Sequence, residues 1–323
     1  MAQVQSTLAS PVLVLEHNII HAFENPHPGF VERLQRAVAE GQILPEIALR
    51  ADLAPPDPPQ TRGEPAEIHV HVTHLEVLWC STYAWMVMYE EEVQKPAVAH
   101  EQGTTHSPDV QLITRAHQLL AWAESISDVY TPWPDGLPSP INWVSAAEEW
   151  YAQKANLVFQ EAASFLLLHE WAHSTSLHLQ QGPGLSDQDY IELEKDADNT
   201  AYDVLVGDRE DDEKLHLAWA ILSALLSSFY LLKTTSHVKQ YRHPELHHRV
   251  QHMLFRLDIA DERPRAYFHG LCVEVLRRTF TAALWSDPVD GYETAEELLQ
   301  ATLDQIDTML DRTAATPLRR SPS

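Results

Sequence analysis

Two histidines and a glutamate that follow an apolar run have the spacing of a metal site. Residues 165–173 end in His169-Glu170-Trp-Ala-His173, an HExxH motif. Residues four apart lie on one face of a helix, so both imidazoles can reach the same metal ion. Glu170 lies about 100° around the helix from His169, where its carboxylate can reach a water on that metal. The pattern is typical of zinc-assisted hydrolysis of peptide bonds, with Glu170 as the base.

The residues before the motif predict that a buried helix contains it. Ala162, Phe165 and Leu166 share an apolar stripe with the two motif histidines, at three- and four-residue spacing. A buried imidazole needs a polar partner, which a metal ion or a backbone carbonyl can supply. The chain contains 19 histidines, so a chance HExxH that forms a buried histidine pair is the alternative interpretation.

A catalytic zinc ion usually has three protein ligands, so one more ligand is expected. His178 lies nine residues after the first motif histidine and falls about half a turn out of phase, which argues against it if the helix continues. Residues 186–201 predict an acidic helix with Ser186 as its N-cap. On that helix Glu194 shares a face with small and apolar residues, whereas Glu192 lies on the solvated face. We therefore predict Glu194 as the third ligand.

Asp198 lies one turn after Glu194 on the same face of this helix. A carboxylate at this place is expected to hydrogen-bond a ligand histidine and to fix its tautomer. Ala197 and Ala201 are small enough to let two helices approach closely. An ordinary acidic surface helix is the alternative, but it does not explain a glutamate and an aspartate within the apolar stripe.

Together these residues resemble a known class of metallopeptidases. HExxH followed by Glu194-x-x-Ala197-Asp198-x-x-Ala201 resembles the gluzincin arrangement, and the surrounding chain resembles the Lit-type phage-exclusion peptidases. CAAX-type, HtpX-type and ImmA-type peptidases share the central pattern. The resemblance covers roughly residues 65–255 and includes the stretches 78–84, 133–138 and 156–159, and His243-Pro244 with Arg249.

The resemblance implies a zinc ion on the two motif histidines and Glu194, with Glu170 as the general base. Gluzincins often place a histidine, tyrosine or arginine near the metal to stabilise the oxyanion of the tetrahedral intermediate. His243 and Arg249 are the candidates for that role. The implied activity is that of an intracellular endopeptidase. The best-known Lit-type protein cleaves translation elongation factor Tu in phage-infected bacteria, and the resemblance suggests a role of that kind without transferring the substrate.

Two other functions fit parts of the pattern. In the first, the chain is a non-catalytic, metal-containing binding protein; Glu170 argues against this, because a structural site needs no base. In the second, the chain is a regulatory protease of the ImmA type that cleaves a repressor. A helix-turn-helix in the same chain would favour that function, and none is recognisable in the sequence.

Composition limits the expected partners and location. The net charge of -25 argues against nucleic acid and anionic membranes, whose phosphates would be repelled, and is compatible with a protein or peptide substrate. Cys80 and Cys272 are interpreted as core residues, not as a disulfide framework. Residues 217–232 are too few for a typical membrane span, and residues 12–15 are too short for a signal core. We expect a cytoplasmic protein without a membrane partner; the sequence leaves its oligomeric state open.

The expected fold is mainly α, a zincin-like helical metallopeptidase domain with a minor strand contribution. Residues 1–60 are expected to form an N-terminal helical segment and a Pro-rich linker, and 61–260 the metallopeptidase core. Residues 261–312 are predicted to form C-terminal closing helices, and 313–323 a disordered tail. Long helices are expected over 73–95, ended by Pro96, over 145–179 with a break near Ala155, and over 216–235.

Several remaining features are interpreted as structural. Residues 67–73 alternate like a strand. Two groups of histidines are interpreted as solvated surface residues and not as further sites: His69, His71 and His74, and His247, His248 and His252. The Pro-rich loop 131–140 is a candidate wall for a substrate cleft, although packing of Trp133 within the loop is the favoured interpretation.

Overall fold

The computed structural model describes residues 9–176, 185–231, 245–280 and 291–315. Helices make up 69% of it beside one small sheet, so the prediction of a mainly α fold with a minor strand contribution is confirmed. The helices are α1 (Glu16–Glu24), α2 (Phe30–Ala39), α3 (Val72–Tyr89), α4 (Lys95–Glu101), α5 (Val110–Ser125), α6 (Ala146–Thr175), α7 (Asp187–Leu205), α8 (Asp211–Ser227), α9 (Leu246–Leu257), α10 (Glu262–Thr279) and α11 (Ala295–Ala315).

Helices α3 and α6 form the centre of the molecule. Every residue of α3 is buried, as expected for a helix that is apolar on all sides. Helix α6 packs against α1, α3, α7 and α8. Its N-cap is Ser145, whose hydroxyl accepts a hydrogen bond from the backbone N–H of Glu148. Helix α6 is continuous through the buried Ala155, so the predicted break near that residue is wrong.

A three-stranded sheet lies beside α6. The strands are β1 (Ala48–Arg50), β2 (Gln60–Arg62) and β3 (Glu67–His71), in the order β1-β3-β2. Strand β3 pairs in parallel with β1 and antiparallel with β2. The N-terminal segment therefore contributes a strand as well as helices, and β2 forms the sheet edge that contacts α6.

The helix predicted to end before Pro96 continues past it. A π-helical turn, Glu90–Gln94, follows α3 and leads directly into α4, where Pro96 occupies the first turn. The π-helical turn carries the hydrogen bonds as far as Lys95, whose backbone N–H donates to the carbonyl of Glu90, and proline follows at a position in the first turn of α4, where it is tolerated. The helix also begins before the predicted cap Thr73: His71 is the N-cap, and its Nδ1 accepts a hydrogen bond from the N–H of Thr73.

The interpretation of the first histidine group as solvated is wrong for two of its members. His71 and His74 are 2% and 1% exposed, because residues 52–57 cover this end of β3. The Nε2 of His71 lies 2.8 Å from Oδ1 of Asp52, and the Nδ1 of His74 lies 3.2 Å from the carbonyl oxygen of Asp57. Burial lowers the pKa of His74 to about 4.

Helix α8 and the 3-10 turn after it, which ends at Leu231, are mostly buried. In the described part of the chain, this segment is long and apolar enough to cross a membrane, but 67% of its apolar window is buried inside the protein. The buried core helix of a soluble protein can have the same length and composition, so this segment is only weak evidence for a membrane span. The predicted end of this helix near residue 235 lies outside the described residues, as do residues 316–323 of the predicted tail.

Candidate metal centre

Helices α6 and α7 bring His169, His173 and Glu194 together. The Nε2 atoms of the two histidines lie 3.1 Å apart. The Nε2 of His169 lies 3.4 Å from Oε2 of Glu194, and the Nε2 of His173 lies 3.4 Å from its Oε1. All three side chains are largely buried, with 10%, 14% and 14% of their surface exposed. The two imidazoles and the carboxylate thus direct donor atoms into a shared space.

These separations fit a tetrahedral metal ion. Two ligands about 2.0–2.1 Å from zinc and a tetrahedral angle apart are about 3.3–3.4 Å from each other. The observed separations of 3.1, 3.4 and 3.4 Å are close to that value, with the two 3.4 Å contacts made to different oxygens of Glu194. The donor set, two imidazole nitrogens and one carboxylate, is also one that catalytic zinc uses. The residues present therefore fit a zinc ion with one coordination position left for water or substrate.

Local sequence explains how α7 presents its acids to α6. Ser186 and Asp189 form a reciprocal capping box that fixes the first turn of α7. Ala197 and Ala201 are fully buried, and their small side chains allow α7 to approach α6 closely. Glu194 faces this contact, whereas the Glu192 side chain is 59% exposed. Helix phase thus separates the two glutamates as the sequence predicts.

Asp198 connects the candidate ligand His169 to Arg249 on α9. Its Oδ1 lies 2.9 Å from the Nδ1 of His169, and its carboxylate accepts two hydrogen bonds from Arg249, of 2.7 and 2.6 Å. Burial alone would raise the pKa of Asp198, but Arg249 and His169 hold it well below its usual range. An ionised carboxylate can only accept, so Nδ1 of His169 donates and Nε2 is the nitrogen that a metal would bind.

The same contacts act on His169. Burial lowers its pKa, but the hydrogen bonds to Asp198 and Glu194 outweigh burial and raise it to about 10. A proton and a metal ion therefore compete for the Nε2 of His169, as in other metal sites whose ligands are basic.

Glu170 contacts the sheet edge through Thr61 on β2. The Oγ1 of Thr61 lies 2.8 Å from Oε2 of Glu170 and 3.0 Å from its backbone carbonyl oxygen. Glu170 is 9% exposed and lines the same cleft as the three candidate ligands. A hydrogen bond from Thr61 holds the carboxylate beside the candidate metal position. Sequence reasoning missed Thr61, because a three-residue strand after a Pro-rich segment shows no pattern that links it to α6.

The candidate centre opens into a cleft of about 590 Å³. Its walls include residues of β2, α6, α7, the 3-10 turn after α8, and α9, among them Tyr190 and Arg249. The Pro-rich linker before β2 lines the cleft through Pro58 and Pro59. The other Pro-rich loop is packed against the core: Trp133 contacts the rings of Trp79 and Trp122, with centroids 5.7 and 4.9 Å away. Packing, the favoured interpretation of Trp133, is what the structure shows.

The remaining predicted residues fall in different places. His243 lies outside the described residues. Arg249 lines the cleft and also holds Asp198. His248 and His252 are exposed, but His247 is fully buried, so its interpretation as a surface residue is wrong. The cause is Asp307 on α11, whose Oδ1 lies 2.8 Å from the Nε2 of His247; a contact this distant in sequence leaves no local pattern.

Comparison with protein-family models identifies a family for this chain. The family model described as Peptidase U49 matches residues 68–272, which include most of β3, the candidate ligands, Glu170, Asp198 and Arg249. No curated protein and no solved structure matches the chain.

Proposed function

The chain belongs to the peptidase U49 family, which includes the Lit-type peptidases, and on this premise we propose that it is a zinc-dependent endopeptidase. One observation supports zinc above all: the Nε2 atoms of His169 and His173 lie 3.1 Å apart and 3.4 Å from the carboxylate of Glu194, close to the edge lengths of a tetrahedral zinc site. The position of Glu170 beside this site supports catalysis, because a purely structural metal site needs no neighbouring base.

In the proposed mechanism a bound zinc ion would supply a Lewis acid that polarises the scissile carbonyl and lowers the pKa of a water molecule. Glu170 accepts the proton of the attacking water and later donates it to the leaving amine. Thr61 keeps the Glu170 carboxylate in place, and Asp198 keeps His169 in the tautomer whose Nε2 faces the site. The peptide bond is cleaved without a covalent enzyme intermediate.

Stabilisation of the oxyanion requires a hydrogen-bond donor near the scissile carbonyl. Arg249 lines the cleft, but its Nε and Nη2 already bind Asp198. Its proposed oxyanion role would therefore fall to Nη1. The hydroxyl of Tyr190, which also lines the cleft, is a further candidate on α7. His243 keeps its proposed role on the basis of the sequence.

The sheet edge suggests how a substrate lies in the cleft. In the described part of the chain β2 pairs only with β3, and its residues Gln60 and Thr61 line the cleft. We propose that a protein substrate binds as an extended segment along this edge, where backbone groups supply hydrogen bonds. A cytoplasmic location and a role in phage exclusion remain proposals that family membership supports.

Zinc content tests the site. The wild type, Glu194→Ala and Glu192→Ala should be purified in parallel, exposed to zinc, freed of loosely bound metal and analysed by mass spectrometry. We expect Glu194→Ala to contain one zinc fewer per chain than the wild type. Glu192→Ala, two residues earlier on the exposed face of α7, should match the wild type. Equal zinc in Glu194→Ala and the wild type would contradict the proposed ligand set.

A further inference from the structure

A second group of metal-binding side chains lies between α9 and α11, outside the cleft. It consists of Glu245, His247, His248 and Asp307, which we call the α9–α11 cluster. Oδ1 of Asp307 lies 2.8 Å from Nε2 of His247 and 3.1 Å from Nε2 of His248. Oε2 of Glu245 lies 3.6 and 3.7 Å from the same two nitrogens. Two imidazoles and two carboxylates thus direct donor atoms toward one another.

The distances again fit a tetrahedral ion. The four measured edges, 2.8, 3.1, 3.6 and 3.7 Å, scatter around the value of about 3.3–3.4 Å expected for ligands of zinc. All four donor atoms lie within 4.8 Å of one another. A divalent ion would offset the charge of two carboxylates that are held this close together. Imidazole donors favour zinc and similar ions over calcium and magnesium, which prefer oxygen ligands.

The burial of His247 is a second observation that points to a ligand. Its side chain is fully buried, and its Nε2 faces Oδ1 of Asp307 and Oε2 of Glu245. Burying a polar ring without such partners costs free energy. A metal ion bound at Nε2 would give the buried ring a stronger partner there than a hydrogen bond to Asp307 alone. The side chains of Asp307 and His248 are 39% and 45% exposed, so an ion can reach the cluster from solvent.

The cluster joins α9 to α11, which packs mainly against α10. A hydrogen bond between Gln251 and Gln300 is a further side-chain link between α9 and α11. His248 immediately precedes Arg249, which holds Asp198 at the first site. An ion in the cluster would therefore fix the start of α9 and, through it, the residue that positions a ligand of the catalytic zinc.

We propose that the α9–α11 cluster binds a second divalent ion of the zinc class, which fastens α11 to α9. The ion has a structural role, because four protein side chains can complete its coordination and leave no position for water. This site shares no ligand with the first one, and its existence does not depend on the proposed peptidase mechanism.

Zinc titration of the full chain tests this proposal in a Glu194→Ala background, where the first site lacks a ligand. We expect Glu194→Ala to bind one zinc ion. Adding His248→Gln should weaken this binding by more than the roughly 10–100-fold that changes outside the ligand shell cause. Adding His252→Gln, at an exposed histidine one turn later on α9 that faces Asn199, should leave it unchanged. His248 is half exposed, so glutamine should fit without disturbing the core.

Thermal unfolding gives a second readout on the same proteins. Zinc should raise the Tm of Glu194→Ala, because an ion that binds the folded state stabilises it. The rise should disappear with His248→Gln and persist with His252→Gln, and magnesium should not produce it. If Glu194→Ala binds no zinc, or if His248→Gln binds zinc as tightly as its parent, the cluster is only hydrogen-bonded and the proposal is wrong. The first site fails separately, if the wild type and Glu194→Ala bind equal amounts of zinc.

Discussion

The guanidinium of Arg249 holds the carboxylate of Asp198 through two hydrogen bonds, of 2.7 and 2.6 Å. Both side chains are largely buried, with 13% and 2% of their surface exposed. Because Asp198 also accepts a hydrogen bond from His169, the pair connects α9 to the candidate metal ligand on α6. A contact of this kind stabilises the charged form of the aspartate and sets the orientation of the imidazole at the same time.

Replacing Arg249 by glutamine should therefore affect stability and metal binding together. Loss of one partner leaves a buried carboxylate without its opposite charge, which typically costs about 3–5 kcal/mol. The affinity for zinc should fall about 10–100-fold, because His169 is less well oriented. Chemical denaturation and zinc titration measure the two effects. Arg263→Gln, which breaks an exposed ion pair with Glu101, should leave both nearly unchanged; similar losses in both variants would contradict the special role of Arg249.

Thr61 is expected to act by positioning Glu170. Thr61→Val keeps the shape of the side chain and removes the hydroxyl that reaches the carboxylate. A lost hydrogen bond to a charged group, worth about 1.4 kcal/mol or more, corresponds to a fall in kcat of about tenfold or more. KM should change little, and Thr61→Ser should restore kcat. Steady-state kinetics on all three proteins separate this role from a general loss of substrate binding, which would raise KM instead.

Helix periodicity in the sequence predicts correctly which side chains face a neighbouring helix and which face solvent. Phase alone distinguishes Glu194 from Glu192, and α7 places one toward α6 and the other toward solvent. Thr61 and Asp307 have no such signal, because each meets its partner through packing of segments far apart in the chain. The predicted helix end before Pro96 is wrong for a local reason. Proline usually stops a helix, but here a π-helical turn lies between α3 and α4, so Pro96 falls in the first turn of α4.

Glu76 should make the stability of the fold depend on pH. Its carboxyl lies in the buried helix α3, and burial raises its pKa to about 7, with a nearby Ser10 hydroxyl offsetting only part of the shift. The folded state then holds a proton that the unfolded state releases near the ordinary value of 4.5. Stability is therefore full below that value and falls as pH rises toward 7, by about 3 kcal/mol in total.

Glu76→Gln tests this dependence. The variant should lose the decline in unfolding free energy between pH 4.5 and 7, and it should be more stable than the wild type above pH 7. Denaturant titrations at a series of pH values measure it. Glu40→Gln, at an exposed glutamate just after α2, should keep the pH dependence of the wild type. A decline of equal size in Glu76→Gln would assign it to other groups.

Glu170→Gln should separate metal binding from catalysis. Glutamine has the size of glutamate and can still accept the hydrogen bond from Thr61, so the candidate ligands and the zinc content should be unchanged. It cannot take a proton from water, and general base catalysis typically contributes 10²–10⁴-fold, so turnover should fall by at least about 100-fold. Cleavage of a peptide library, followed by mass spectrometry, measures turnover on many candidate substrates at once. Glu149→Gln, near the start of α6, is the matched control. Full activity in Glu170→Gln would refute the mechanism, whereas absent activity in every protein, with zinc bound, would favour the metal-containing binding protein.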